Sequence, residues 1–252
     1  MLKVFAINRQ TWRISEVYDN GFSVDAYLVA GERRALLVDS LAGATGLYDL
    51  ARGLADLPLD VVLTHGHGDH AGASLPEFAA AGCDIYMDHR EIPLFKKWRP
   101  GKFLDIPFKE PKDGQVFDLG GRKLEIISVP GHTPGSLLVL DREAQIVFTG
   151  DTIGSGCFWM QLQESLPMAE FAANLRRLRD TAAPLADLLV LPGHKYQSPA
   201  ELTGQYIEDT LALTEDIVSG KTHGRPDTMT FNNQTIEFKH ASRGLMTDLC
   251  YK

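Results

Sequence analysis

The chain has 252 residues, 44% apolar and 23% charged, the composition of a soluble globular protein able to bury a sizeable core. Twenty-five Lys plus Arg against thirty-three Asp plus Glu leave a net charge of −8, which argues against a general grip on the phosphates of RNA or DNA. No apolar run reaches the roughly 18 to 20 residues of a membrane span, and the opening Met1 to Arg9 turns polar too early for a signal peptide, so no membrane association and a cytoplasmic location are expected.

In chain order, short strands are predicted over Lys3 to Asn8, Trp12 to Val17, Asp25 to Val29 and Ala35 to Val38, with turn signals at Asn20-Gly21 and Gly31-Glu32. The period then changes. A helix over Thr45 to Leu57, a buried strand Asp60 to Leu63, a helix Leu75 to Ala81 and a short strand Asp84 to Met87 alternate. Residues 98–121, rich in Pro, Gly and Lys, read as a loop, and strands follow at Lys123 to Val129, Ser136 to Leu140 and Ile146 to Phe148. A helix Met168 to Ala182, a strand Leu188 to Leu191, a long helix over Ala200 to Val218 and a hairpin of Thr228 to Phe231 with Thr235 to Lys239 complete the chain. Two sheets with helices on their outer faces bury so many short apolar strands, which predicts an α/β fold, a four-layer αββα sandwich, with 1–252 as one domain whose last part, 199–252, completes the second half and shapes the pocket. Cys83, Cys157 and Cys250 include no C-x-x-C pair, so neither a disulfide framework nor a thiolate zinc knot is expected and the thiols are read as reduced.

Of the eight histidines, three lie in Thr64-His65-Gly66-His67-Gly68-Asp69-His70, directly after the apolar Val61-Val62-Leu63. Neutral imidazole and carboxylate are the ligands zinc takes when no thiolate is offered. His65 and His67, two apart, can project to one side of an extended segment, while Asp69 and His70 follow a bend and address a second position. These donors cannot fill two coordination shells, so ligands from distant loops are required. His132 in Pro130-Gly131-His132, Asp151 in Thr149-Gly150-Asp151 and His194 in Pro192-Gly193-His194 each lie just past an apolar strand with a glycine immediately before them. His89, His223 and His240 stand outside any motif and are read as structural or surface residues.

The HxHxDH segment at 65–70 followed by His132, Asp151 and His194 resembles the metal-binding motifs of the metallo-β-lactamase-fold superfamily of metallohydrolases, over roughly residues 20–200. The resemblance implies the αββα fold with a dinuclear centre at the sheet edges. His65, His67 and His132 would hold one metal, Asp69, His70 and His194 the other, and Asp151 would bridge them. Two divalent ions, zinc first with manganese or iron as alternatives, would share an activated water, with Asp69 accepting a hydrogen bond from it and Asp151 completing the catalytic pair.

Flavodiiron oxidoreductases of this fold carry Glu where this chain has His67, and class B β-lactamases have Cys or Ser where it has Asp151. The chain looks more like the thioesterase, lactonase and general hydrolase branches, and Thr64 to Gly72 is similar to glyoxalase II enzymes. The implied activity is hydrolysis of a small carboxyl ester, thioester or lactone. A phosphodiesterase and an iron-dependent sulfur dioxygenase on the same fold stay open, and β-lactam cleavage would be at most a side activity. The expected partner is a small-molecule substrate. Phe158, Trp159 and Met160 either wall the pocket with apolar surface or pack beneath the following helix. Tyr196 either mimics the metal-site tyrosine of acyl-homoserine-lactone lactonases or packs at the surface. Cys157 is read as pocket lining or core, and Lys195, Arg243 and Asn232 are candidates for binding a substrate carboxylate or phosphate.

Overall fold

Residues buried on both faces of a strand read as continuous apolar runs, and this chain has several because its central strands are covered twice. The computed structural model describes residues 1–99, 106–198, 200–231, 234–243 and 247–252. Its first half contains β1 (Leu2–Asn8), β2 (Thr11–Val17), β3 (Ser23–Ala30), β4 (Ala35–Val38), α1 (Leu47–Leu54), β5 (Leu59–Val62), α2 (Leu75–Ala80), β6 (Ile85–Tyr86) and α3 (Ile92–Trp98). The second contains β7 (Val116–Asp118), β8 (Lys123–Ser128), β9 (Leu137–Asp141), β10 (Ile146–Gly150), β11 (Cys157–Met160), α4 (Met168–Ala182), β12 (Leu189–Pro192), β13 (Leu202–Thr203), α5 (Gly204–Val218), β14 (Arg225–Phe231), β15 (Gln234–Arg243) and β16 (Thr247–Tyr251).

Two six-stranded sheets, ordered β1-β2-β3-β4-β5-β6 and β13-β12-β10-β9-β8-β7, face each other. The period of two along each strand sorts side chains between layers. On β3 and β4, Val24, Ala26, Leu28, Ala35 and Leu37 join the cluster that contains Leu47 and Ala51 of α1 and Leu75 and Phe78 of α2. Their neighbours Tyr27, Val29, Leu36 and Val38 join Ile126, Val139, Ile146 and Phe148 of the opposite sheet. Leu138, Leu140, Val147 and Val190 turn outward against Phe171, Leu175 and Leu178 of α4 and Ile207 and Leu211 of α5. Helix, sheet, sheet, helix is therefore the layer order, as the sequence predicts.

Several elements depart from the sequence expectation. Helix α3, opened by Pro93 near its N-terminus, and strand β7 lie in stretches left unassigned or read as loop. A third, four-stranded sheet, β11-β16-β15-β14, packs on the α5 side; its β14–β15 pair is the hairpin the sequence predicts, whereas β11 and β16, for which the sequence predicts no strand, extend it. The thiols are not all reduced: Cys157 and Cys250, 93 residues apart, form a disulfide between the adjacent parallel strands β11 and β16. That pairing comes from a sheet invisible in the spacing of the cysteines. The hairpin tip Asn232-Asn233 lies outside the described residues.

Candidate metal centre

Strands β4 and β5 run parallel, and so do β10 and β12, while β8 is antiparallel to β9 and β9 to β10. The carboxyl ends of β8, β10 and β12 therefore share one edge, and those of β4 and β5 share theirs. At that junction Leu137 N–H donates to Thr64 O at 3.0 Å, Asp25 N–H donates to Gly193 O at 2.8 Å and the Tyr27 hydroxyl donates to Pro192 O at 2.6 Å. His65, His67, Asp69 and His70 follow β5, His132 follows β8, Asp151 follows β10 and His194 follows β12.

The glycines beside these residues are required by close packing. A Cβ on Gly131 would lie 2.2 Å from the Phe171 ring, and one on Gly193 would lie 2.3 Å from His70 Cε1 and 2.8 Å from Asp151 Oδ1. Gly150 combines φ +50° with a Cβ direction 2.3 Å from Thr64 Oγ1.

The structure brings the seven sequence-selected residues into two adjoining groups, His65, His67 and His132 in one and Asp69, His70, Asp151 and His194 in the other, with the ligand atoms within 4.8 Å inside each. In the first group His67 Nδ1 is 3.0 Å from both His65 Nε2 and His132 Nε2. The far side of each ring fixes its tautomer. His132 Nδ1–H donates to Trp159 O at 2.7 Å, and His67 Nε2–H donates to Glu164 Oε1 at 2.9 Å. Thr64 spends its hydroxyl proton on Asp39 and so accepts from His65 Nδ1–H at 3.1 Å. Three lone pairs then point at one another, an arrangement that repels without a cation between them and is the donor set of a divalent metal.

In the second group Asp151 Oδ1 is 3.4 Å from His70 Nε2, and its Oδ2 is 3.2 Å from His194 Nε2 and 3.9 Å from His132 Nε2, so this carboxylate faces both groups. Asp69 Oδ2 is 3.6 Å from His194 Nε2. His70 is fully buried and its Nε2 has no hydrogen-bond partner among the described residues, a buried polar atom that a cation would satisfy. The residues present fit a pair of divalent ions.

Partners outside the sequence-selected set hold the rings. Asp39 Oδ2 accepts the Nδ1–H of His70 at 2.8 Å, and Ser23 O accepts that of His194. Lys195 N–H donates to Asp25 Oδ2 at 2.6 Å, bracketing the His194 loop against β3. Buried Glu91 accepts the N–H groups of Gly66 at 2.7 Å and Gly135 at 2.6 Å, tying the HxHxDH loop to the His132 loop. Arg99 braces the same loop from the other side, donating to Ala42 O at 2.6 Å and to Gly68 O. Asp39 shows in the sequence only as a carboxylate at a strand end. Glu91 and Glu164 carry no signal, since each acts through a contact dozens of residues away.

Electrostatically the groups differ. Burial, together with the neighbouring His70, His67 and His132, holds His65 well below the ordinary imidazole range, and burial followed by His67 pushes His132 down to about 4. For His70, burial opposes protonation but is outweighed by Asp151, Asp39 and Asp69, which raise it, and His194 is raised against burial chiefly by Asp151. Asp151 is held well below the usual carboxylate range by His194 and His70, against the penalty of its own burial. The first group offers three imidazole nitrogens, the second a mixed set with two carboxylates. Glu164 is lowered to about 2, first by its hydrogen bond to His67.

A cavity of about 990 Å³ opens over both groups. Phe22, Trp98, Phe158, Trp159, Leu162 and Ile236 supply its apolar wall, and Lys97, Arg99 and Lys252 its cationic side chains. Of the sequence-selected pocket candidates, Phe158 and Trp159 border the cavity, but Phe158, 1% exposed and packed on Phe171 of α4, shares the core with Met160, and Trp159 is the one left half-buried. Tyr196 faces away: it is 42% exposed, with its ring centroid 6.1 Å from that of Phe5 and Arg13 5.3 Å above it, because the short helical turn after His194 rotates it onto β1. Another tyrosine, Tyr18, packs on Phe22, itself against His194 at 4.9 Å between ring centroids. Lys195 Nζ donates to Ala200 O and Arg243 pairs with Asp216, so neither reaches the cavity, and Asn232 lies outside the described residues. His89 is an exposed partner of Glu110, and His240 sits beside the disulfide.

A family profile described as the metallo-beta-lactamase superfamily matches residues 19–194. The acyl-coenzyme A thioesterase MBLAC2 of Gallus gallus is 28% identical over 214 residues, 73% of this chain and 76% of that one. The hydroxyacylglutathione hydrolase GloC of Haemophilus influenzae is 26% identical over 181 residues, 65% of this chain and 81% of that one. Among solved structures, a metallo-beta-lactamase from Pontibacter korlensis aligns with a TM-score of 0.68 at 18% identity, covering 86% of this chain and 100% of that one, a likeness of fold.

Proposed function

The chain belongs to the metallo-beta-lactamase superfamily and is a hydrolase of that family, and from this premise we propose that it cleaves small acyl thioesters at a centre of two divalent metal ions. The observation that carries the reading is the convergence of His65, His67 and His132 lone pairs beside a second group sharing Asp151. The names of two relatives, a thioesterase of acyl-coenzyme A and a hydrolase of hydroxyacylglutathione, support a thioester over a lactone or a simple ester.

His65, His67 and His132 would hold one ion, Asp69, His70 and His194 the other, with Asp151 between them. Zinc suits these donors, which also accept manganese and iron. When bound, the two ions supply Lewis acidity and a water acidic enough to yield hydroxide near neutral pH. Asp69, whose side chain is 31% exposed, accepts a hydrogen bond from the attacking water and aims its oxygen at the thioester carbonyl. The C–S bond then breaks, giving a carboxylic acid and a free thiol, with no nucleophile drawn from the protein. Trp159 and Trp98 exclude bulk water and receive the acyl group, while Lys97 and Lys252 suit an anionic carrier. On this reading residues 199–252 complete the same domain as the rest and wall the cavity through Ile236 and Lys252. A net charge of −8 favours a small-molecule substrate over nucleic acid.

The test is metal quantitation joined to turnover of acyl-coenzyme A, acylglutathione, lactone, ester and bis(p-nitrophenyl) phosphate substrates. Thioester cleavage that a chelator abolishes and zinc restores is expected. Metal-replete protein that cleaves the phosphodiester and no thioester would overturn the reading, as would stoichiometric iron with oxygen consumed on a persulfide.

A further inference from the structure

The Cys157–Cys250 disulfide stands at the wall of the same cavity. Cys157 is half-buried and lines the cavity with His67, His132 and Asp151, whereas Cys250 is buried on β16. Of the two bonded residues, Cys157 thus borders the cavity and Cys250 lies inside the fold. Two residues beyond Cys157, Trp159 O accepts the Nδ1–H of His132 at 2.7 Å, so the strand that carries Cys157 also orients a proposed metal ligand. Behind the sulfurs lies His240, the register partner of Cys250 on β15, with a ring nitrogen within 4.8 Å of both. Its ring is held between Asp248 and Arg225, whose Nη2 is 2.9 Å from His240 Nδ1.

We infer that this disulfide is a thiol-exchange site, at which a small thiol entering the substrate cavity forms a reversible mixed disulfide with Cys157. The identification of that thiol as the product of thioester cleavage rests on the function proposed above. The site itself rests on the geometry. A thiolate RS⁻ attacks Sγ of Cys157, the bond to Cys250 breaks, and its electron pair leaves on Cys250 Sγ, which takes up a proton beside His240. One S–S bond replaces another with no net oxidation, so no further oxidant or reductant is needed. The carrier then occupies cavity volume that the next substrate needs, and the liberated Cys250 can expel it by the reverse step. Cys83 is the internal control: it is outside the cavity, and burial pushes its thiol pKa up, which lowers its reactivity.

The experiment uses the metal-loaded full chain, incubated with reduced glutathione or with coenzyme A, acid-quenched, alkylated and mapped by mass spectrometry. One adduct on Cys157 with Cys250 newly alkylated is expected; dithiothreitol added before the quench should remove the adduct and leave both cysteines alkylated, and removal of the small thiol should restore the Cys157–Cys250 bond. In a Cys250→Ser chain, oxidised glutathione should leave a persistent adduct on Cys157, because the resolving thiol is gone. Thioester turnover should be lost in the adducted protein and return with dithiothreitol. Adducts confined to Cys83, or no mixed disulfide in either chain, overturn the site. An adduct on Cys157 of a chain that cleaves no thioester leaves the site standing and removes the proposed substrate. Thioester cleavage beside an inert disulfide removes the site alone.

Discussion

Asp39 accepts the Nδ1–H of His70 at 2.8 Å from a backbone held at φ 63°, so a residue outside every recognisable motif sets the direction of the ring nitrogen that faces Asp151. The same carboxylate takes the N–H and hydroxyl of Thr64 and thereby also sets the tautomer of His65. Asp39→Ala should lower metal affinity by roughly 10- to 100-fold, the usual cost of losing such an outer partner. Asp39→Asn keeps an acceptor and tolerates the left-handed backbone, so its loss should be smaller. Competition against a chromogenic chelator measures both, and equal losses would contradict the argument.

Asp151 faces both groups of donors, so its removal should not empty one position alone. Asp151→Ala is expected to lower occupancy of both metal equivalents and to abolish turnover while the far-ultraviolet circular dichroism stays unchanged. Retention of two full equivalents, read by elemental analysis, would refute a shared role.

Two glycines separate packing at the site from backbone freedom in general. A Cβ on Gly193 would lie 2.3 Å from His70 Cε1, whereas one on Gly53, within α1, meets nothing within 4 Å. Gly193→Ala should cost metal binding and activity. Gly53→Ala should raise stability by about 0.5–1 kcal/mol, the ordinary gain from removing glycine inside a helix. Thermal melts and metal titration of the two variants check the contrast.

Glu91 satisfies two backbone N–H groups in separate ligand loops. Glu91→Ala leaves both without their acceptor, at about 1–3 kcal/mol for each group that stays buried. A lower melting temperature and weaker metal retention should appear together, and a variant with unchanged melting would show that Glu91 does not join the loops.

Chelation should lower the melting temperature and metal return should restore it, because a ligand bound only by the folded state adds about 4 kcal/mol at a thousand-fold excess over its Kd. A scan with and without EDTA, then with added zinc, reads this directly.

The seven donors are legible in the sequence because four of them share one hexapeptide after an apolar strand and each of the other three stands just past a strand with a glycine before it. The layer order is legible because β3, β4, β5, β9 and β10, buried on both faces, read as largely apolar runs. Other features depend on distance rather than pattern. Glu91 meets Gly135 across 44 positions and Cys157 meets Cys250 across 93, neither of which a local window can hold. Tyr196, two residues from His194, shows the converse: proximity in the chain did not bring it to the cavity, because a single helical turn swings its ring onto Phe5.

Among the described residues, strand β11 pairs along its length only with β16, from Cys157 opposite Asp248 to Met160 opposite Tyr251. A shortened chain ending after α5 would keep every proposed ligand, yet Phe158 and Trp159 would hang from an unpaired ribbon and the carbonyl that steers His132 would lose its footing. The smallest fragment worth grafting or redesigning as a catalytic cassette therefore extends through Tyr251, well past the last histidine of the centre.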